Sequence, residues 1–235
     1  MGRRWRGEGA QHQGARPYQE DSWTLRGLPD GALLAVLADG MGGHAGGSVA
    51  SRLAVGAFIM AVEQGGSLAE ALQAANLAIA EGAARNTALR GMGSTLVAVM
   101  VKGDAVMWIS VGDSPLYLVQ DGRLERLNAD HSMAPQIDEL VARGVISAVE
   151  AAHHPGRHTL REAVMGERLT LIDQGSRALD PGGRLLVCSD GILSLGDARI
   201  VANAARPVQE LIEAVLAVGA PAQDNVTVIK LEREA

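Results

Sequence analysis

The acidic residues of this chain recur in one setting, next to short apolar runs. Asp39 ends the run VLADG, Asp113 ends WISVGD and Asp190 ends LLVCSDG; Asp224 precedes NVTVIKL, and Glu20-Asp21 opens the first strand-like segment. A side chain at the end of a stiff, buried strand is held rigidly at the rim of a sheet. Carboxylates converging at such a rim repel one another strongly at low dielectric unless cations lie between them. An oxygen-only cluster of this kind suits hard cations such as Mg2+ or Mn2+. Asp30-Gly31 and Asp121-Gly122 lie between short strands and read as plain turns. Asp39-Gly40 and Asp190-Gly191 are followed by helical or irregular chain; each alone is evenly balanced between turn and site, and together with Asp113 and Asp224 the site reading gains weight.

Other chemistries fit less well. The segment GMGGHA, residues 40–45, matches the glycine pattern of a dinucleotide-binding turn, and Glu63 lies about twenty residues on, where a ribose-binding acid belongs. In that fold, however, the acid ends a second parallel strand, and Glu63 ends a helix. No nucleophile elbow or Walker loop is present. His131, His153, His154 and His158 match no zinc spacing and read as a solvated loop. The single cysteine, Cys188, lies in an apolar run and reads as a small buried hydrophobe, which leaves no internal disulfide framework.

The elements that must position these acids follow from the patterning. The first twenty or so residues, rich in Gly, Arg and Gln, show no period and read as an extended arm. A strand is expected at 19–25 and another at 33–38, joined by Asp30-Gly31 as a hairpin. A helix follows from Gly46, with Val49, Leu53, Ala57 and Met60 on one side. A second is opened by the capping box Ser67–Glu70 and striped by Leu68, Leu72, Ala75 and Ile79. Strands are expected at 95–101, 105–111, 116–119 and 124–127, the last two flanking the Asp121-Gly122 turn, and such meanders imply antiparallel sheets. Residues 130–166 are polar and irregular, with a helix at 135–143 and a capping box at Ser147–Glu150, and read as a flap-like insertion beside a site. Strands at 169–172 and 184–189, a helix with Pro207 in its first turn, and a strand at 225–231 complete the chain.

Composition narrows the partners. With 235 residues, 47% of them hydrophobic and 20% charged, the chain can bury a sizeable core, and no repeat or linker divides it, so one domain over 1–235 is expected. A net charge of −6 and only six aromatic rings argue against a nucleic-acid partner. The start MGRRWR has twin arginines with no apolar segment after them, and the longest near-apolar helical stretch, 55–62, is well short of the ~20 residues of a membrane span. A cytoplasmic setting without membrane contact is the expectation.

Taken in order, Arg16-x-x-x-Glu20-Asp21, Ala38-Asp39-Gly40-Met41-Gly42-Gly43-His44, Gly93-Ser94-Thr95-Leu96, Gly112-Asp113-Ser114, Asp130-His131-Ser132, Cys188-Ser189-Asp190-Gly191 and Asp224-Asn225-Val226-Thr227-Val228 resemble the PP2C (PPM) family of metal-dependent serine/threonine protein phosphatases in its compact bacterial form. The resemblance spans about Gly14 to Lys230. It implies an α+β fold, a four-layer α-β-β-α sandwich of two antiparallel sheets flanked by helix pairs. It also implies two Mn2+ or Mg2+ ions, with Asp39 bridging them, the carbonyl of Gly40 on one, Asp190 and Asp224 on the other, and Glu20 and Asp21 acting mainly through water. Asp113, with Asp190, corresponds to a weaker third-metal position, and Arg16 to the grip on the substrate phosphate. The implied reaction is hydrolysis of phosphoserine or phosphothreonine by a metal-bridging hydroxide, opposing a bacterial Ser/Thr kinase. Phosphorylated proteins and that cognate kinase are the implied partners, and the chain is expected to be monomeric. Met41 departs from the histidine found there in many eukaryotic relatives, so the proton donor to the leaving group is left unassigned, and His44 is not given that role. Gln19, Pro115 and the approach Pro221-Ala222-Gln223 also depart from the pattern, though none removes an implied ligand. A catalytically weak relative that binds phosphoproteins as a regulatory module is the competing reading.

Overall fold

In this computed structural model residues 5–42 and 45–233 are described; Gly43 and His44 lie outside them. The chain runs β1 (Trp5–His12), β2 (Asp21–Gly27), β3 (Leu33–Met41), α1 (Ala45–Glu63), α2 (Leu68–Arg85), β4 (Gly93–Ser94), β5 (Leu96–Lys102), β6 (Ala105–Val111), β7 (Leu116–Gln120) and β8 (Arg123–Arg126). It continues with α3 (Ala134–Ala142), α4 (Ala148–Ala152), β9 (Asp173–Ala178), β10 (Arg184–Cys188), α5 (Asp197–Asn203), α6 (Val208–Leu216) and β11 (Val226–Arg233), with a 3-10 turn at Asp190–Leu195. The strands form two antiparallel sheets, ordered β1-β11-β10-β7-β8 and β2-β3-β5-β6-β9, with β4 paired to β3.

The unbroken apolar run of β3 is explained by burial on both faces. Leu34, Val36 and Ala38 point into a core shared with Phe58 of α1 and Leu72 and Ile79 of α2. The alternate residues Ala35 and Leu37 point the other way, into the core between the sheets, where they meet Leu116, Leu185, Val187 and Ile229. This is the period-two alternation of a strand, filled with aliphatics on both sides. A third core joins Leu186, Cys188, Val226 and Val228 to Ile200 of α5 and Leu211, Ile212 and Val215 of α6. The expected four layers, helices, sheet, sheet and helices, are present. Both capping boxes form: Ser67 and Glu70 exchange side-chain and backbone hydrogen bonds at the start of α2, as do Ser147 and Glu150 at α4.

Several local expectations need correction. The arm without a period contains β1, whose composition hid it: Gly7 and Gly9 have no side chains because the opposite sheet comes too close. A Cβ on Gly7 would lie 2.6 Å from Leu25, and one on Gly9 2.5 Å from the Trp23 ring. The strand expected at 169–172 is not formed; β9 lies just beyond it, a polar strand at the exposed edge of its sheet. Helix α5 was not expected, and Pro207 caps α6 from outside the helix. Met60 is exposed, and Phe58 carries the buried face of α1. The apolar stretch of α1 is also longer than 55–62: Gly46–Glu63 is long and apolar enough, by length and composition, to cross a membrane. Ala50, Ala54, Val55, Phe58 and Val62 of this stretch are buried in the core shared with β3 and α2.

Candidate metal centre

Of the residues implied to hold the cations or the phosphate, all but Asp21 line one cleft of about 510 Å3, at the end of the sandwich where strands of both sheets stop. Asp39 stands near the end of β3 and Asp113 just beyond β6, in one sheet. Asp190 follows β10 and Asp224 precedes β11, neighbours in the other. Arg16 and Glu20 come from the connection between β1 and β2. The cleft therefore sits on the seam between the sheets, which is why residues up to two hundred positions apart meet there.

Asp21 lies directly opposite Asp39 in the β2–β3 register and is buried behind it. Its Oδ2 accepts hydrogen bonds from Ser189 (2.8 Å) and Thr227 (2.6 Å), both from the facing sheet. Its Oδ1 is buried with no hydrogen-bond partner. Burial pushes Asp21 up to about 7, against the two hydroxyls that favour its charged form. Asp39 is pushed well above the usual carboxylate range, by burial first and then by Asp21, Asp190, Asp113 and Asp224. Asp190 is raised by burial and by Asp224, and a hydrogen bond to Asp39 works in the opposite direction. Burial also carries Asp113 to about 7, with Asp190 and Asp130 adding to it and Arg126 opposing.

This is the electrostatic problem that a cation solves. The donor set is all oxygen, an unpartnered buried carboxylate oxygen lies behind it, and burial and mutual repulsion raise the proton affinity of the acids. These residues fit hard divalent cations. Among the described residues no group of three His, Cys, Asp or Glu side chains is arranged to hold a metal ion unaided. Backbone oxygen and water are therefore part of the fit, and Gly40 supplies a carbonyl at the cleft wall. Glycine is required at 40 for space: a Cβ there would lie 2.1 Å from the Gly47 carbonyl oxygen in the first turn of α1. The Glu20 carboxylate lies against Gly47, where a nucleotide pyrophosphate would have to sit. That contact and the antiparallel sheet overturn the dinucleotide reading. Glu63, its ribose-binding candidate, pairs with Arg26 at 3.5 Å instead.

Arg16 donates to Asp224 Oδ2 at 2.5 Å and is half exposed. The hydrogen bond to Asp224 is the main reason its guanidinium holds its proton more firmly than usual. Asn225 fixes the loop carrying Arg16, a role not read from the sequence although the residue lay within a quoted motif. Buried beside Asp224, its Oδ1 accepts from the Glu20 backbone N–H at 2.7 Å, and its Nδ2 donates to the carbonyls of Gln13 (2.7 Å) and Tyr18 (3.0 Å). Thr95 was similarly missed: its Oγ1 accepts from the Asp39 N–H at 3.0 Å and lies 2.7 Å from Ser114 Oγ. Gln19 accepts from the Asp21 N–H through Oε1, and Gln223 donates to the carbonyls of Gly191 and Asp224. These departures from the family pattern keep the loop hydrogen bonds satisfied.

The histidines do not form one solvated group. His131 is buried, with its Nδ1 accepting from the Gly112 N–H, whereas His153 and His154 bond to their own turn. His158 lines the cleft.

Residues 8–227 match the protein phosphatase 2C family. The chain is similar to the serine/threonine protein phosphatase PstP of Mycobacterium tuberculosis, 38% identical over 213 residues covering 85% of this chain and 40% of that protein. It therefore spans about 40% of the length of those mycobacterial relatives. It is 31% identical to the serine/threonine phosphatase stp of Listeria monocytogenes over 234 residues, 93% of this chain and 92% of the other. Among solved structures, the catalytic domain of PstP in complex with two manganese ions superimposes with a TM-score of 0.81 at 31% identity, covering 98% of this chain and 99% of the other.

Proposed function

The chain belongs to the protein phosphatase 2C family, and we propose that it is a Mn2+- or Mg2+-dependent protein phosphatase hydrolysing phosphoserine and phosphothreonine, opposing a bacterial Ser/Thr kinase. The observation that carries this reading is the convergence of Asp39, Asp190 and Asp224 on one cleft, with Asp39 pushed well above the usual carboxylate range by burial and by the acids around it.

In this reading Asp39, the Gly40 carbonyl, Asp190 and Asp224 hold two cations, and Asp113 with Asp190 holds a third more weakly. Glu20 and Asp21 act through water. Such cations polarise phosphoryl oxygens and make a water-derived nucleophile available near neutral pH. The chain's own residues gather and neutralise charge. Arg16 has donors to spare beyond the one on Asp224, so it can keep that contact and bind a phosphate oxygen. Asn225 holds the Arg16 loop in place for that task. Met41 lines the cleft and has no proton to give to a leaving group. Cys188 is buried in the helix-side core, its thiol pushed far up by burial, so it is no nucleophile.

A monomer acting in the cytoplasm is part of the same proposal; its support is compositional, a single unpaired cysteine and no disulfide. The test is phosphate release from p-nitrophenyl phosphate and from a phosphothreonine peptide, with Mn2+, with a chelator, and with Asp39→Ala. Turnover that survives both chelation and the substitution would sink the metal-centred reading. Metal-loaded, folded protein with no turnover on either substrate would favour a regulatory binding module.

A further inference from the structure

We propose that an apolar groove beside the cleft takes an aliphatic residue of the phosphoprotein chain, a few positions from the phosphorylated Ser or Thr; this rests on the phosphatase reading above. The groove, about 620 Å3, lies between α3, α4 and the 3-10 turn after Asp190. Val141 and Ala142 of α3, Ala148, Ala151 and Ala152 of α4, and Leu193 form its walls.

Three observations point to this occupant. First, groove and cleft adjoin: His158 lines both, and Leu193 belongs to the same short turn that begins with Asp190. A peptide whose phosphate sits in the cleft must lay neighbouring residues along one of its walls, at about 3.3 Å per residue when extended. Second, the groove's own charges are spent. Arg157 donates to both carboxylate oxygens of Asp138, at 2.7 and 3.1 Å, so neither is left to select a charged side chain. Third, the helix pair has more apolar surface than its packing uses. Each helix buries one side chain, Ile137 in α3 and Ala151 in α4, while Leu193 is 41% exposed and the nearby Val145 and Val149 are 65% and 70% exposed.

The test uses the full chain with Mn2+ and phosphothreonine peptides in which a single leucine or serine is placed two to four residues to either side of the phosphothreonine. For at least one placement, the leucine peptide is expected to show about a tenfold lower KM than its serine partner with little change in kcat, the scale of one aliphatic side chain in an apolar pocket. The leucine-to-serine ratio is expected to fall to about one in Leu193→Asp and in Ala148→Glu, both at exposed positions. Because the readout is a ratio between two peptides, it survives any general change in turnover. Peptide binding by fluorescence anisotropy is measured in parallel. Equal KM and equal binding for all placements overturns the proposal, as does a ratio that persists in both variants. A concentration-dependent dimer that Leu193→Asp dissociates also overturns it, since the groove would then belong to a second copy. Absence of turnover on p-nitrophenyl phosphate as well would refute the phosphatase reading, and the anisotropy series would then decide the groove alone.

Discussion

Asp21 and Asp39 stand opposite each other on the β2–β3 ladder, yet only Asp39 reaches the cleft. Asp21 is the charge that, after burial itself, does most to raise the proton affinity of Asp39. Its hydroxyl partners, Ser189 and Thr227, belong to the other sheet, so the pair joins the two halves of the sandwich at its most highly charged point.

That pairing sets the pH dependence of stability in chelator. Asp21 and Asp113 are both carried up to about 7 in the fold, above the ~3.9 of an unfolded aspartate. A raised carboxyl contributes stability that is fully present below the unfolded value and is lost as pH rises through the folded value. The melting temperature in chelator is therefore expected to fall between about pH 5 and pH 8, by an amount on the order of 5 °C. Mn2+ should reverse the fall, because cation binding displaces the protons. A Tm that is level or rises over that range would show that these carboxyls are not protonated in the fold.

Asp39→Asn should separate stability from activity. It replaces a buried titratable carboxyl among four other acids with a neutral amide and keeps a hydrogen-bonding group beside Asp190. Its Tm in chelator should equal or exceed that of the parent, while phosphate release drops by roughly a thousandfold or more and the Mn2+-induced rise in Tm disappears. Calorimetry with and without Mn2+, beside a phosphate-release assay, checks all three.

Asn225→Ala removes three hydrogen bonds from the loop that carries Arg16. About 1–3 kcal/mol of stability should be lost, with a rise in KM for phosphopeptide larger than the fall in kcat. Arg16→Lys should lower kcat/KM by about tenfold or more without a comparable loss of stability, since lysine cannot reproduce the planar fork. Steady-state kinetics alongside urea unfolding distinguishes the two substitutions.

Gly40→Ala places a methyl group 2.1 Å from the Gly47 carbonyl oxygen and 2.7 Å from that of Glu20, both backbone atoms. The strand end and the first turn of α1 must move apart, at a cost of about 3 kcal/mol or more. A chemical denaturation midpoint close to the parent's would show that the contact relaxes easily.

The layered fold and the acids at the strand ends were legible because both leave marks in the local sequence. β3 is apolar at every position from Leu33 to Ala38 since it is buried on both faces, and each acid adjoins such a run. β1 and β9 were not legible, because their residues answer to other demands: Gly7 and Gly9 to the closeness of the facing sheet, β9 to solvent at an edge. Asn225 and Thr95 look like ordinary polar residues, and their roles depend on backbone groups far away in sequence, which no local pattern records. The histidines of 130–166 misled for the same reason, since His131 is buried by β6 and its following loop rather than by its own neighbours.

The missing side chains at Gly7 and Gly9 have an effect at a distance. Asp39 rides on one sheet and Asp190 and Asp224 on the other, so the gap between the sheets is also the caliper of the cation site. Trp23 and Leu25 closing over those two glycines help set that gap. Mg2+ tolerates little departure from 2.0–2.1 Å ligand distances, and larger, more accommodating cations tolerate more. A side chain inserted at Gly9, outside the cleft lining, would therefore press the sheet of Asp39 away from the sheet of Asp190 and Asp224.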